Sequence, residues 1–380
     1  MGEFFVCPIC GNSDEKKIGY INGKAYCRAC ITFKGQCVSY EEKESDESEF
    51  SISYELSKEQ KDISSKLLTN FKEGNDSLLI AVCGAGKTEI VFETISHVLK
   101  HHGRVGFAIP RRDVVIEISK RLIEVFNKNS VVAVYGGNTN LLKADIICLT
   151  THQLFRYECY FDLLIVDEID AFPFNGNNVL FSIMKRSIKG NLILMSATPS
   201  EDILNRFEEN SIFRLNTRFH KHPLPVPQVI KKYSIFKYNF LLKKIKEFLA
   251  KNKPLFIFCP TIEQAINTFK IINLFIKGGN IVHSKVENRK EIIEDFRNGK
   301  YKFLVTTAIL ERGVTVKDLQ VIIFNADHAL YDSHALIQIS GRVGRKVDAP
   351  EGEVIFIVEH ENIEIEKCIK QISRANKDLC

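Results

Sequence analysis

The order of apolar and polar positions divides the chain before any single residue is weighed. From about residue 50 to 215, short apolar runs of β type alternate with longer helix-like stretches. The runs fall at residues 77–82, 104–109, 145–150, 163–167 and 191–195. Such runs separated by helical segments predict a parallel sheet with crossover helices. A break follows at residues 219–227, where Pro223, Pro225 and Pro227 stiffen the backbone and withhold N–H groups from helix or ladder. The alternation resumes at residues 255–259, 280–282, 303–306, 321–325 and 352–358. The pattern predicts an α/β protein with two tandem parallel-sheet lobes, residues 51–217 and 231–380, joined by a connector at 218–230. Ligands of open α/β sheets bind at the carboxyl ends of the strands, so chemistry is expected there, in a cleft between the lobes.

Ahead of the first lobe the pattern changes. Residues 1–39 are rich in cysteine and lack a long helical period. Residues 40–50 then carry Glu41, Glu42, Glu44, Asp46, Glu47 and Glu49 with two serines, a composition that predicts a solvated, flexible linker.

Composition narrows the class of protein. At 45% hydrophobic and 26% charged residues the chain is an ordinary globular one, able to bury a core in each domain. No apolar run approaches the roughly 18–20 residues of a membrane span, and the first residues show neither the basic nor the apolar segment of a secretory signal. The expected setting is the cytoplasm. The net charge of +5 permits nucleic-acid binding without arguing for it. Eight lysines crowd the stretch from Lys231 to Lys253, relieved only by Glu247, and read as a solvated helix face with snorkelling side chains. Seven of the eleven cysteines are scattered and read as reduced thiols. The other four form a pattern.

Those four are Cys7-Pro-Ile-Cys10 and Cys27-Arg-Ala-Cys30, with sixteen residues between the pairs. Two knuckles at that spacing predict a closed, tetrahedral Zn²⁺ site with no open position for catalysis. The metal would supply folding energy to a segment too small for its own core. The module's role stays open between structure, protein docking and DNA contact; Lys16, Lys17, Lys24 and Arg28 nearby allow the last. Cys37 is expected to be a bystander.

A second constellation speaks of phosphate. The strand run ending at Val82 enters Cys83-Gly84-Ala85-Gly86-Lys87-Thr88 and then a helix-like stretch, the setting of a P-loop. Glycines let the backbone curl so that N–H groups face phosphate oxygens, and the following helix start adds to the field. Lys87 would neutralise the terminal phosphates, and the Thr88 hydroxyl would hold Mg²⁺. The strict motif asks for glycine where Ala81 stands, so the match is relaxed. The run 163–166 delivers Asp167-Glu168-Ile169-Asp170 at its end. Adjacent carboxylates there are costly without a cation. With Mg²⁺ and ATP they divide the work: Asp167 on the metal, Glu168 orienting the attacking water. In the second lobe, Gln338-Ile-Ser-Gly-Arg342-Val-Gly-Arg345 places two arginines three apart, expected to project together from a helical turn as arginine fingers do.

Taken in order, these residues resemble helicase superfamily 2, over about residues 50–360. The resemblance implies a RecA-like fold for both lobes, behind the small zinc-binding module. It implies that Gln60 reads adenine and that Gly84, Ala85, Gly86 and Gly313 line the nucleotide. Arg111, Arg112, Thr151, His152, Thr261, Thr306 and Arg312 would contact the nucleic-acid strand, and Ser196 and Thr198 would couple hydrolysis to movement. The carboxylate box reads Asp-Glu-Ile-Asp, the last motif opens with Gln338 where His is common, and the proline-containing upstream motif of DEAD-box RNA helicases is missing. These departures favour DNA over RNA.

The cysteine module, the Ala-x-Cys-Gly-Ala-Gly-Lys-Thr loop, the Asp167-Glu-Ile-Asp-Ala-Phe-Pro173 box and Leu310-Glu-Arg-Gly-Val-Thr315 are similar to the ComFA family of late-competence proteins. That resemblance implies an ATPase stimulated by single-stranded DNA at the inner face of the membrane, drawing DNA in through the ComEC channel. It further implies association with a ComFC-like phosphoribosyltransferase-fold protein, and self-association is left open. Two alternatives stand beside it: a PriA-like repair or replication-restart helicase, and a zinc-dependent adaptor with a vestigial ATPase.

Overall fold

A computed structural model describes residues 5–41, 49–82, 84–169, 177–215, 222–307, 316–346 and 348–377. The chain forms two compact units, one from Met1–Ala81 and Gly86–Leu215, the other from Val82–Ala85 and Asn216–Cys380. The first opens with an antiparallel hairpin, β1 (Ile18–Ile21) and β2 (Lys24–Cys27), in which Ile18 faces Cys27 and Tyr20 faces Ala25. Its main sheet holds β3 (Ser77–Ala81), β4 (Val105–Ile109), β5 (Val131–Val134), β6 (Ile146–Thr150), β7 (Phe161–Asp167), β8 (Ile188–Ser196) and β9 (Ile212–Leu215). All are parallel, in the order β5-β6-β4-β7-β8-β3-β9. Every residue of β4 and β6 is buried, as parallel strands covered on both faces by helices must be. Those helices are α1 (Lys58–Lys72), α2 (Lys87–Ile90), α3 (Phe92–Lys100), α4 (Arg112–Val125), α5 (Asn178–Ser187) and α6 (Glu201–Leu204).

The second unit repeats the scheme with β10 (Gln228–Lys231), β11 (Leu255–Phe258), β12 (Gly279–Val282), β13 (Phe303–Thr306), β14 (Gln320–Phe324) and β15 (Val354–Val358). The order is β10-β15-β14-β11-β13-β12, again parallel. Helices α7 (Ile235–Ala250), α8 (Ile262–Phe275), α9 (Arg289–Arg297), α10 (Ser333–Ser340) and α11 (Ile363–Lys377) accompany it. The expected ten runs are all strands. The strands β5, β9 and β10 were not expected. They lie at sheet edges and are only partly buried; β9 and β10 carry Arg, Gln or Lys, and β5 is four residues long.

Helix α7 carries much of the lysine-rich stretch and buries Leu241, Ile245 and Phe248. Its cations find acids that sequence distance hides: Lys237 pairs with Glu359 at 2.8 Å and Lys244 with Glu353 at 3.7 Å. No helix among the described residues is long and apolar enough to cross a membrane.

The cysteine module is part of the first unit. Its four cysteines and Val38 belong to the same apolar cluster as Leu142, Phe155, Tyr157 and Tyr160. The Val38 amide donates to Arg156 O at 2.7 Å, pairing Val38 with Tyr157 in a parallel bridge. The linker expectation needs correcting at both ends. Tyr40 lies edge-on to Tyr160 with Lys189 Nζ 3.6 Å from its ring centre, Glu41 pairs with Lys143, and Phe50 packs on Phe92 and Phe126. Aromatic burial anchors what the acidic composition suggested was loose. Residues 42–48 lie outside the described residues.

Candidate functional site

Parallel strands put all their carboxyl ends on one edge, so the candidate residues of the first unit follow one another along it. At the end of β3, Gly84 and Gly86 take φ of 83° and 79°, where a side chain is strained. A Cβ on Gly86 would stand 2.5 Å from Gln60 Nε2. Glycine thus lets Gln60 lie against the loop. Gln60 is held there by a capping box at the start of α1: its Oε1 accepts from Ser57 N at 2.8 Å, and Ser57 Oγ accepts from Gln60 N at 3.2 Å. Lys87 and Thr88 open α2, and Lys87 Nζ lies 3.5 Å from Asp167 Oδ1 at the end of β7.

Strand β8 runs between these two, with Ser196 opposite Ile80 and Met195 opposite Asp167. Glu168 follows with φ 61°, a left-handed conformation uncommon outside glycine. Its amide donates to Asp167 Oδ1 and to Met195 O, each at 2.9 Å, which turns the chain off the strand. Ser196 is fully buried and accepts from the Thr198 amide at 2.9 Å. Cys83 and Asp170 lie outside the described residues. The cradle of left-handed glycines and the Lys87–Asp167 pair fit a Mg²⁺-bound nucleoside triphosphate: Lys87 for phosphate, Thr88 and Asp167 for the ion.

Sequence reasoning missed a buttress beneath this cradle. Glu89, buried in α2, accepts from Tyr54 Oη at 3.1 Å and pairs with Arg121 of α4, whose Nη2 also donates to Tyr54 Oη at 2.8 Å. Nothing in spacing announces three residues so far apart.

The other half of the edge carries the expected strand contacts. Ile109 lies opposite Thr150, so Arg111 and Arg112 leave the end of β4 beside the end of β6, where Thr151 and His152 follow. Burial lowers the Arg111 pKa, against the raising effect of Asp113. The Arg112 guanidinium lies over the Tyr135 ring at 4.6 Å. Thr151 departs from expectation: its side chain is fully buried, and its hydroxyl has no hydrogen-bond partner among the described residues. A 3₁₀ turn, Thr151–Arg156, tucks it against the core and leaves His152 exposed. That ring stacks on Phe33 of the cysteine module, 5.9 Å between centres, and desolvation lowers its pKa.

In the second unit Thr261 caps α8, its Oγ1 accepting from Gln264 N at 3.1 Å. Thr306 is fully buried, opposite Phe258 on one side and Val282 on the other. Gln338 lies buried in α10. The arginine expectation needs correcting. Helix α10 ends at Ser340, and Gly344 at φ 68° turns the chain, so the two arginines sit on an irregular turn. Arg342 is 1% exposed, whereas Arg345 is half-buried and donates from Nε to Gly341 O at 3.0 Å. Arg312 and Gly313 lie outside the described residues.

The four cysteine sulfurs of the module lie within 4.8 Å of one another, with Cys7–Cys30 at 3.5 Å and Cys10–Cys27 at 3.7 Å. A tetrahedral zinc with Zn–S near 2.3 Å requires sulfurs about 3.8 Å apart. The donor set therefore fits Zn²⁺. Burial pushes the Cys10 thiol up to about 11 and Cys30 higher still. Cys27 is also desolvated, yet backbone bonds from Cys30 and Ala29 bring its pKa below the usual thiol range. Cys37 stands apart, its sulfur 3.9 Å from Phe155 O.

Comparison with known proteins is decisive for the family. Residues 58–206 match the DEAD/DEAH box helicase model, and residues 237–347 match the helicase conserved C-terminal domain. Competence protein ComFA of Streptococcus pneumoniae is 34% identical over 99% of this chain and 91% of its own length. The chain belongs to the ComFA family. ComFA of Bacillus subtilis is likewise 34% identical, over 92% of this chain and 81% of its own length. This ComFA family member is accordingly a competence-related, helicase-like ATP hydrolase. Helicases of this kind use ATP with Mg²⁺, and the cysteine cluster is compatible with Zn²⁺. Among solved structures, Saccharomyces cerevisiae Dbp5 bound to RNA and ADP–BeF3 matches at TM-score 0.64 and 19% identity, covering 85% of this chain and 88% of that one. Mycobacterium smegmatis Lhr, bound to single-stranded DNA and AMP-PNP, matches at TM-score 0.62 and 16% identity, covering 82% of this chain and 48% of that one. At such identities the likeness carries the fold of the ComFA chain alone.

Proposed function

We propose that the chain is a single-stranded-DNA-dependent ATPase and translocase that powers uptake of DNA during genetic competence. The observation carrying this reading is the single sheet edge on which Lys87 meets Asp167 at 3.5 Å, with Arg111 and His152 on the neighbouring strand ends. One edge can thus hold nucleotide and strand at once, which a motor needs.

In this reading the loop from Gly84 to Gly86 cradles the phosphates and Lys87 neutralises them. Gln60 reads the base. Thr88 and Asp167 hold Mg²⁺, which would draw charge from the phosphoryl oxygens. Glu168 orients the attacking water, and Arg342 and Arg345 supply cationic charge to the transferring group. Ser196 and Thr198, between the ends of β3 and β7, couple hydrolysis to movement, and in the strand half Arg111, Arg112 and His152 grip the backbone. Thr261 and Arg312 grip it from the second unit. The family resemblance extends the proposal to a ComFC-like protein and the ComEC channel as partners, to homo-oligomers, and to a place at the inner face of the membrane.

Steady-state ATPase should rise on adding single-stranded DNA, and more than on adding duplex or RNA. The Lys87→Ala and Arg345→Ala chains should lose turnover. Equal rates with and without DNA, or undiminished turnover in either variant, would refute the proposal. Efficient unwinding of forked duplex by the chain alone would point instead to a PriA-like helicase.

A further inference from the structure

The β1–β2 hairpin exposes side chains on both faces, Tyr20 (70% exposed) on one and Ile21 (61%) on the other, and the second face alone sets a ring among cations. Alternation along the strands divides the two. Ile18, Tyr20, Ala25 and Cys27 share one face, the one that delivers a cysteine to the cluster, and Gly19, Ile21, Lys24 and Tyr26 share the other. The ladder runs one pair further, because Arg28 N donates to Lys17 O at 2.7 Å, so Lys17 and Arg28 extend the second face. Across the middle lies Tyr26: its ring atoms occupy the space where a side chain on Gly19 would begin. Glycine there lets the ring rest over the neighbouring strand while staying half-exposed, and Ile21 beside it is 61% exposed. Lys17, Lys24 and Arg28 are exposed and form no ion pair among the described residues. Of the two acids before them, Asp14 caps the preceding turn through Lys16 N, and Glu15 is exposed within that turn without an ion pair among the described residues.

We propose that this face is a second binding surface for a single nucleic-acid strand, Tyr26 stacking on a base while Lys17, Lys24 and Arg28 hold phosphates. It rests on reading the chain as a strand-driven motor. An aromatic ring set between unpaired cations is the platform that sequence-tolerant single-strand binding uses. Lys24 and Arg28, four residues apart on an extended chain, stand about 13 Å apart, which leaves room for a base between two phosphates. Duplex DNA offers no free base face to such a ring. Charge selects against an acid-poor protein partner and for a polyanion. The module is also tied to the motor's own strand contact, since Phe33 stacks on His152 and Val38 bridges to Tyr157. A strand held at His152 has the hairpin within the same unit.

The test uses the full chain with zinc, a fluorescein-labelled oligothymidylate and fluorescence anisotropy over a salt series. Each phosphate contact adds about 0.7 to the salt slope for a single strand, so Lys17→Ala/Lys24→Ala/Arg28→Ala should lower that slope by about 2. Tyr26→Ser should weaken binding about tenfold, the loss of one stacked base, and Tyr26→Phe should restore it. Zinc content and DNA-free ATPase should match wild type in each. An oligonucleotide carrying 5-iodouracil should crosslink to the hairpin of the unmutated chain under ultraviolet light. Unchanged affinity and slope in the variants, or no crosslink at residues 17–28, overturns the inference while leaving the motor reading intact, and points to a protein partner for this face. A wild-type chain that binds no strand overturns both.

Discussion

Arg156 is the residue on which the docking of the cysteine module should turn. It is 8% exposed; its Nη1 donates to Gln36 O at 2.7 Å, its Nε donates to Gln153 Oε1 at 2.6 Å, and its guanidinium lies 4.8 Å from the Phe155 ring centre. Gly35 packs so closely that a Cβ there would stand 2.5 Å from Nη1. Of these two side-chain hydrogen bonds, the one to Gln36 joins module to lobe. A hydrogen bond from a charged donor contributes about 1.5–3 kcal/mol, and Gln36, being exposed, can turn to water once the donor goes. Arg156→Leu keeps the apolar stem and removes the donors, so docking should weaken by about 2 kcal/mol. That is roughly a thirtyfold rise in the opening equilibrium. The Val38 amide, whose acceptor is Arg156 O, reports that opening by hydrogen exchange. Protection at residues 33–41 should fall by about that factor while α1 and α3 keep theirs. Unchanged protection at Val38, or an even loss across the first unit, would refute the reasoning: in one case other contacts hold the module, in the other Arg156 supports the whole fold.

Other expectations follow from single contacts. Gly86→Ala forces a side chain into φ 79° and against Gln60 Nε2, so affinity for a fluorescent ADP should drop at least several-fold while the urea midpoint moves little; unaltered affinity would deny that Gln60 and the loop share one site. Ser57→Ala removes the α1 cap and should cost about 1 kcal/mol, read as a lower urea midpoint at constant slope. Chelation should free the four cysteines, so that a thiol reagent titrates four more groups than in the holo chain; no increase would mean that no metal is held there.

The strands of both sheet interiors were legible because burial on two faces leaves almost only apolar residues, as in β4, β11 and β15 and in β6 up to its terminal Thr150. The edge strands were not, since one exposed flank admits polar residues, as in Gln228-Val-Ile-Lys231. The glycine loop, the Asp167–Glu168 pair and the cysteine knuckles were legible because each chemistry demands fixed neighbours in the chain. The Tyr54–Glu89–Arg121 buttress and the Arg156 anchor were not, because their partners meet only after folding.

The three departures share a cause. Thr151 is buried, Arg342 and Arg345 leave their helix, and Tyr40 and Glu41 are anchored rather than loose. In each case a local rule of composition or period meets a tertiary contact that it cannot see. The 3₁₀ turn buries Thr151 because Phe155 and Tyr157 beyond it must reach the cluster shared with the cysteines. Module and strand-contacting turn are therefore packed as one body, and a change in zinc occupancy should be felt at His152 before it is felt at Lys87. Between β6 and the nucleotide half lies β4, whose residues are all buried and apolar, so among the described residues that strand gives the disturbance no polar side chain to follow.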